Sequence, residues 1–99
     1  MTNAYPPTLK TRIEQLLRSE LAASHVHVDD LTAQHAHHAG ARESGGGHYL
    51  VTVVSDLFEG ENSVARHRLV YRAVVPLRAQ IHALGISAHT PAEWEKSGA

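Results

Sequence analysis

The residues of this chain best placed to do chemistry are its histidines and arginines. Nine histidines occur in 99 residues, with no cysteine. Histidine is the usual metal-binding side chain and the one that titrates nearest neutral pH, so such an excess needs a purpose. Three of the nine fall in one short run, His35, His37 and His38, within a segment of small and polar residues. Another, His82, stands in Ile81-His82-Ala83-Leu84, where a helical pattern gives way to a strand pattern. The arginines gather just before it. Between Asn62 and Ala92 lie Arg66, Arg68, Arg72 and Arg78 and no Asp or Glu, although the chain as a whole carries a formal charge of -1.

Each group has a plain chemical reading. An imidazole is a sound ligand to zinc or iron, but the HAHH run has no fixed fourth ligand and is not a zinc-site signature. Arg68 and Arg72, four residues apart, share a helix face and could hold phosphate or an acidic partner surface. Arg66 and Arg68 cannot share one, and His67 lies between them. A histidine at a helix end can also be simply structural, stabilised by the helix dipole when protonated. His25, His27, His48 and His89 read as surface or sheet-face residues. Catalysis finds little footing. Neither Ser44 nor Ser55 sits in a nucleophile-elbow pattern. The glycines at 45–47 follow no strand and open no helix, so they form no phosphate loop. A non-enzyme is expected.

The totals set the frame for these groups. The length suits one small domain, and 42% hydrophobic with 19% charged residues is the balance of a globular protein. Without cysteine the chain cannot supply a thiolate ligand or a disulfide. No apolar run is long enough to span a bilayer, and MTNAYPPTLK lacks the apolar core of a secretion signal. A cytoplasmic protein with no membrane contact, monomeric in isolation, is expected.

The elements that must position the histidines and arginines follow from local pattern. After a tail over 1–7, Thr8 caps a helix over 8–23 whose apolar face is Leu9, Ile13, Leu16, Leu17 and Leu21. His25 to Asp29 alternates, giving a strand over 25–31 with Val26 and Val28 inward. Residues 32–47 form a long His- and Gly-rich loop. His48 to Ser55 is β-branched and apolar, hence a strand in the middle of the sheet. Asn62 or Ser63 caps the next helix, which Pro76 breaks. A second short helix starts near Val74 or Val75, with Leu77, Ile81 and Leu84 as its buried stripe and Gly85 as its stop. The third strand is Ile86 to His89, beginning as early as His82. Thr90-Pro91-Ala92-Glu93 is a helix start with a capping box, and Trp94 anchors that last helix. The order is α-β-β-α-α-β-α, an α+β fold with a three-stranded sheet and helices packed on one face, in a single domain over 8–97.

Val53-Val54-Ser55, Phe58-x-Gly60, Arg66-His67-Arg68-x-Val70-Tyr71, Ile81-His82-Ala83-Leu84 and Thr90-Pro91-x-x-Trp94 together resemble the BolA family, over about residues 8–95. The resemblance implies a fold similar to the class II K-homology arrangement. It also implies two functions. One is partnership with a monothiol glutaredoxin, in which histidines of this chain replace thiolate on a [2Fe–2S] cluster shared with the glutaredoxin and glutathione. His82 matches one ligand of that site. The second comes from the loop between the first two strands, where His35, His37 and His38 compete: counting forward from Asp30 favours His35, and counting back from His48 favours His38. The other function is transcriptional regulation through DNA contact by the basic region 63–80, carried by Arg66, His67, Arg68, Arg72 and Arg78. No GxxG lies between the middle helices, so the nucleic-acid clamp of K-homology domains is not expected.

Overall fold

The computed structural model describes residues 8–32 and 47–98. The expected tail over 1–7 and His35, His37 and His38 lie outside the described residues.

Helix α1 spans Leu9–Leu21, and Thr8 opens it by accepting the Thr11 amide at 3.2 Å. Ile13, Leu17 and Leu21, each four apart, are its buried stripe. Ala22 then takes a left-handed conformation (φ 48°), which stops the helix two residues short of the boundary expected at 23. Strand β1 (His25–Asp30) follows, then β2 (Gly47–Val54). They pair antiparallel, with Val26 facing Val53 and Val28 facing Val51. These valines are buried against the helices, while His27 points to solvent as its odd position requires. Gly47 begins β2 directly against the Tyr49 ring, so close that no Cβ would fit there.

A 3₁₀ turn at Asp56–Phe58 leads to helix α2 (Ser63–Ala73), capped by Asn62 on the Ala65 amide at 2.9 Å. Its buried residues are Val70 and Ala73. Strand β3 (Ile81–His89) runs parallel to β2, so the sheet order is β1-β2-β3 with β2 in the middle. Helix α3 (Pro91–Lys96) closes the described chain with a full capping box between Thr90 and Glu93. The expected α+β fold is thus present, with α1 and α2 packed over one face of the sheet.

One expectation needs correcting. The short helix before β3 is a 3₁₀ helix, Val75–Gln80, and of its proposed stripe only Leu77 belongs to it. Ile81 and Leu84 are strand residues packed on the core from β3. Three residues per turn cannot sustain a 3.6-residue stripe, and Pro76 removes an amide near the start. Gly85 likewise continues β3 rather than stopping a helix; a Cβ there would reach the Leu50 Cδ1 at 3.0 Å.

Trp94 does anchor α3. Its indole stacks on His25 (centroids 4.9 Å, 25° between planes) and tilts over His89 at 5.4 Å. Those two histidines share a cross-strand row with Val54, on the face opposite Val26 and Val53. Buried Ser55 fastens the same end: it donates to Leu21 O at 2.6 Å and accepts from Leu57 N at 3.1 Å.

Candidate functional site

At the far end of β3, the register against β2 slips. Gly47 pairs with Ile81 but His48 pairs with Ala83, so His82 is an extra residue in the ladder. Such a bulge re-aims the side chain it carries. Here the His82 ring lies 4.9 Å from the His48 ring, tilted by 38°. His82 is exposed and His48 half-buried. No local pattern announces this neighbour. Both residues open their strands, but only the parallel pairing of β2 with β3 brings them side by side, and pairing is not a local property.

His82 stands at the mouth of an open groove of about 820 Å³ between α2, the 3₁₀ helix and the start of β3. Val74, Ile81 and Leu84 give it an apolar floor, and Arg72 and Arg78 line it with no acidic residue beside them. Tyr71 and Val75 are 52% and 54% exposed there. Tyr71 is held in place by its hydroxyl, which donates to Leu84 O at 3.3 Å. Among the described residues, neither Arg72 nor Arg78 forms an ion pair. The groove therefore offers cationic groups and apolar surface together, with one imidazole at its end.

The other basic residues are placed differently. Arg68 is exposed on α2, one turn before Arg72. His67 is half-buried beside a smaller cavity of about 310 Å³ that it shares with Glu61, Ser63, Arg66, Ile86 and Ala88. Arg66 points inward. Its guanidinium holds Glu93 through two bonds of 2.6 and 3.1 Å, donates to Glu61 O at 2.8 Å and to Ala88 O at 3.3 Å, and lies 6.0 Å from the Phe58 ring centre. The side chain keeps only 15% exposure. The Arg66 guanidinium, aided by the Thr90 amide, pulls the Glu93 carboxyl down from 4.5 to about 2. Arg66 thus ties α2 to β3 and α3, a role that the run of basic residues did not reveal because Glu93 lies in another element.

A family model described as BolA-like protein matches residues 17–93. The chain belongs to the BolA family. It is 42% identical over 87 residues to SufE-like protein 1, chloroplastic/mitochondrial, of Arabidopsis thaliana, covering 83% of this chain but only 24% of that protein. It is 34% identical over 88 residues to the DNA-binding transcriptional regulator BolA of Escherichia coli, covering 88% of this chain and 80% of the relative. Among solved structures, the BolA domain of SufE1 from Arabidopsis thaliana superposes with a TM-score of 0.73 at 38% identity, over 90% of this chain and 99% of that domain. BolA membership therefore accounts for nearly all of the described chain. No described helix is long and apolar enough to cross a membrane.

The site can also be tested against a [2Fe–2S] cluster, the group that BolA resemblance implies. Among the described residues no three histidine, aspartate or glutamate side chains converge as a metal-holding group. The chain has no thiolate. Among the described residues His82 supplies one accessible nitrogen donor, which fits a ligand set completed by other groups.

Proposed function

We propose that this BolA-family protein acts with a monothiol glutaredoxin in binding and passing on a [2Fe–2S] cluster and in the regulation linked to iron. The observation that supports this most is His82: an exposed imidazole, set out by a strand bulge, at the mouth of a basic and apolar groove. In this reading His82 is one cluster ligand and a loop histidine, His35, His37 or His38, is another. The glutaredoxin supplies cysteine and glutathione thiolate, which this chain lacks. Histidine in place of thiolate raises the potential of such a cluster. The protein's own contribution is to hold the imidazole outward and to receive the partner in the groove beside it.

The test is to mix the purified chain with a monothiol glutaredoxin under cluster-forming conditions and record the visible absorption and circular dichroism. The glutaredoxin cluster spectrum should change on mixing, and His82→Ala should abolish the change. His35→Ala and His38→Ala, made separately, should distinguish the two leading loop candidates. An unaltered spectrum, or one insensitive to His82→Ala, would sink the proposal.

A second reading is supported by the 34% identity to a DNA-binding regulator and by the exposed Arg68, Arg72 and Arg78, which form no ion pair among the described residues. In it the region 63–80 contacts phosphates, with Arg66 and His67 closer to the body of the protein. Affinity for a DNA fragment should then fall steeply with salt, by roughly one power of the salt concentration per phosphate contact. Binding that is unchanged when Arg68 and Arg72 are neutralised would rule this reading out.

A further inference from the structure

The sheet has two outer strands, and the fold treats their free edges differently. On β3 two of the outward carbonyls are covered from α2. Tyr71 donates to Leu84 O and Arg66 to Ala88 O, each at 3.3 Å. Those side chains stand where an incoming strand would lie, a common protection against edge pairing. Strand β1 has no such cover among the described residues. Its register with β2, with Leu31 N donating to His48 O at 2.7 Å, turns the main-chain groups of odd-numbered residues toward β2. Val26, Val28 and Asp30 therefore direct their amides and carbonyls outward. An extended row of such groups is a template for another strand.

The side chains define which strand fits. His27 and Asp29 alternate on the solvent face of β1, 59% and 49% exposed, with Nε2 and Oδ1 2.9 Å apart. Consider an identical strand running antiparallel across a two-fold axis at Val28. Val28 then meets Val28 of the second copy, and Val26 meets its Asp30, so every outward amide of β1 has a carbonyl opposite. In the same register each His27 faces Asp29 of the second copy. The neighbouring register, centred on His27, would set His27 against itself and draw His25 away from the Trp94 ring on which it stacks. The reciprocal His-Asp pattern thus selects one register and one kind of partner.

We propose that the free edge of β1 is a self-association surface, on which two copies of this chain pair antiparallel through residues 25–30. Reciprocal His27–Asp29 contacts set the register, and the two sheets become continuous. The isolated chain is then a concentration-dependent dimer, where the sequence suggested a monomer. An unrelated strand could use the same main-chain groups, but it would lack the reciprocal pairs.

Sedimentation equilibrium over a wide range of protein concentration tests this on the full chain. The wild type should show a monomer–dimer equilibrium. His27→Asp and Asp29→His should each weaken association roughly tenfold, because each sets like residues opposite one another at both contacts. An equimolar mixture of the two variants should recover it, since His-Asp contacts re-form only between unlike chains. Both positions are exposed, and far-UV circular dichroism checks that each variant folds. As a second readout, exchange of the Val26 and Val28 amides should slow as concentration rises, while the Leu84 and Ile86 amides stay unchanged. A wild type that remains monomeric throughout would overturn the proposal. So would variants that associate as the wild type does, or a mixture no better than its components.

Discussion

The two ends of α2 carry arginines from the same acid-free stretch, and they do opposite things. At the N-terminal end Arg66 is drawn in over Phe58 and held by Glu93 and two main-chain carbonyls. At the C-terminal end Arg72, with Arg78 beyond it, faces an open groove beside Tyr71, Val75 and His82. A guanidinium with its donors occupied and its stem packed is a structural tie. One with no ion pair on an apolar groove is available to something outside. Charge density alone does not mark a functional surface in this protein; the number of internal acceptors does.

Removing the tie should have the largest effect on stability. Arg66→Ala loses bonds to Glu61 O and Ala88 O and the packing of its stem, and should cost about 2 kcal/mol in urea unfolding. If Arg66→Ala unfolds at the wild-type midpoint, the distinction between the two ends collapses. The Glu93 contact adds a pH signature. Its carboxyl titrates at about 2 in the folded protein, against an ordinary value of 4.5. Because the folded value is lowered, the contribution is complete above about 4.5 and is lost as pH falls from there toward 2. Glu93→Gln should therefore flatten the acid limb of a melting-temperature profile while leaving the shape above pH 6 unchanged. Nearly half of the Glu93 side chain is exposed, so salt should shrink this effect.

At the groove end, Tyr71→Phe removes a single hydrogen bond, to Leu84 O. The bond is exposed to solvent, so the cost should be below about 1 kcal/mol. The more telling result would come from the β3 edge, where the Leu84 carbonyl loses its cover. A loss of several kcal/mol would mean that Tyr71 belongs with Arg66 as scaffold and that the groove is narrower in function than in shape.

How much of this is legible in the sequence depends on the range of the interactions. The Thr90–Glu93 capping box, the Asn62 cap and the inward Val26 and Val28 are set by residues two to four apart, and the chain spells them out. The spacing of Ile81 and Leu84 suits a helix face, whereas their strand identity comes from pairing with β2. The Arg66–Glu93 tie and the nearness of His48 to His82 are likewise products of packing between distant segments. His82 was singled out by its motif, but the bulge that turns it toward His48 arises from a slip in register that no local pattern announces. For His35, His37 and His38 the sequence left the choice open, and they lie outside the described residues.

The smallest change in stability is expected where the change in binding should be large. Arg72 and Arg78 are exposed and make no ion pair among the described residues, so Arg72→Gln and Arg78→Gln, singly or together, should move unfolding by no more than about 0.5 kcal/mol. If the proposed glutaredoxin or DNA is held by these two charges, the same double variant should weaken its association. The salt dependence separates those cases. Loss of two phosphate contacts lowers the slope of log affinity against log salt by about 2, whereas loss of contacts to an acidic protein surface also removes affinity that the apolar floor cannot replace. A variant that binds both as the wild type does would leave the groove with shape and no recognised ligand, and would move the basis of recognition to His82 alone.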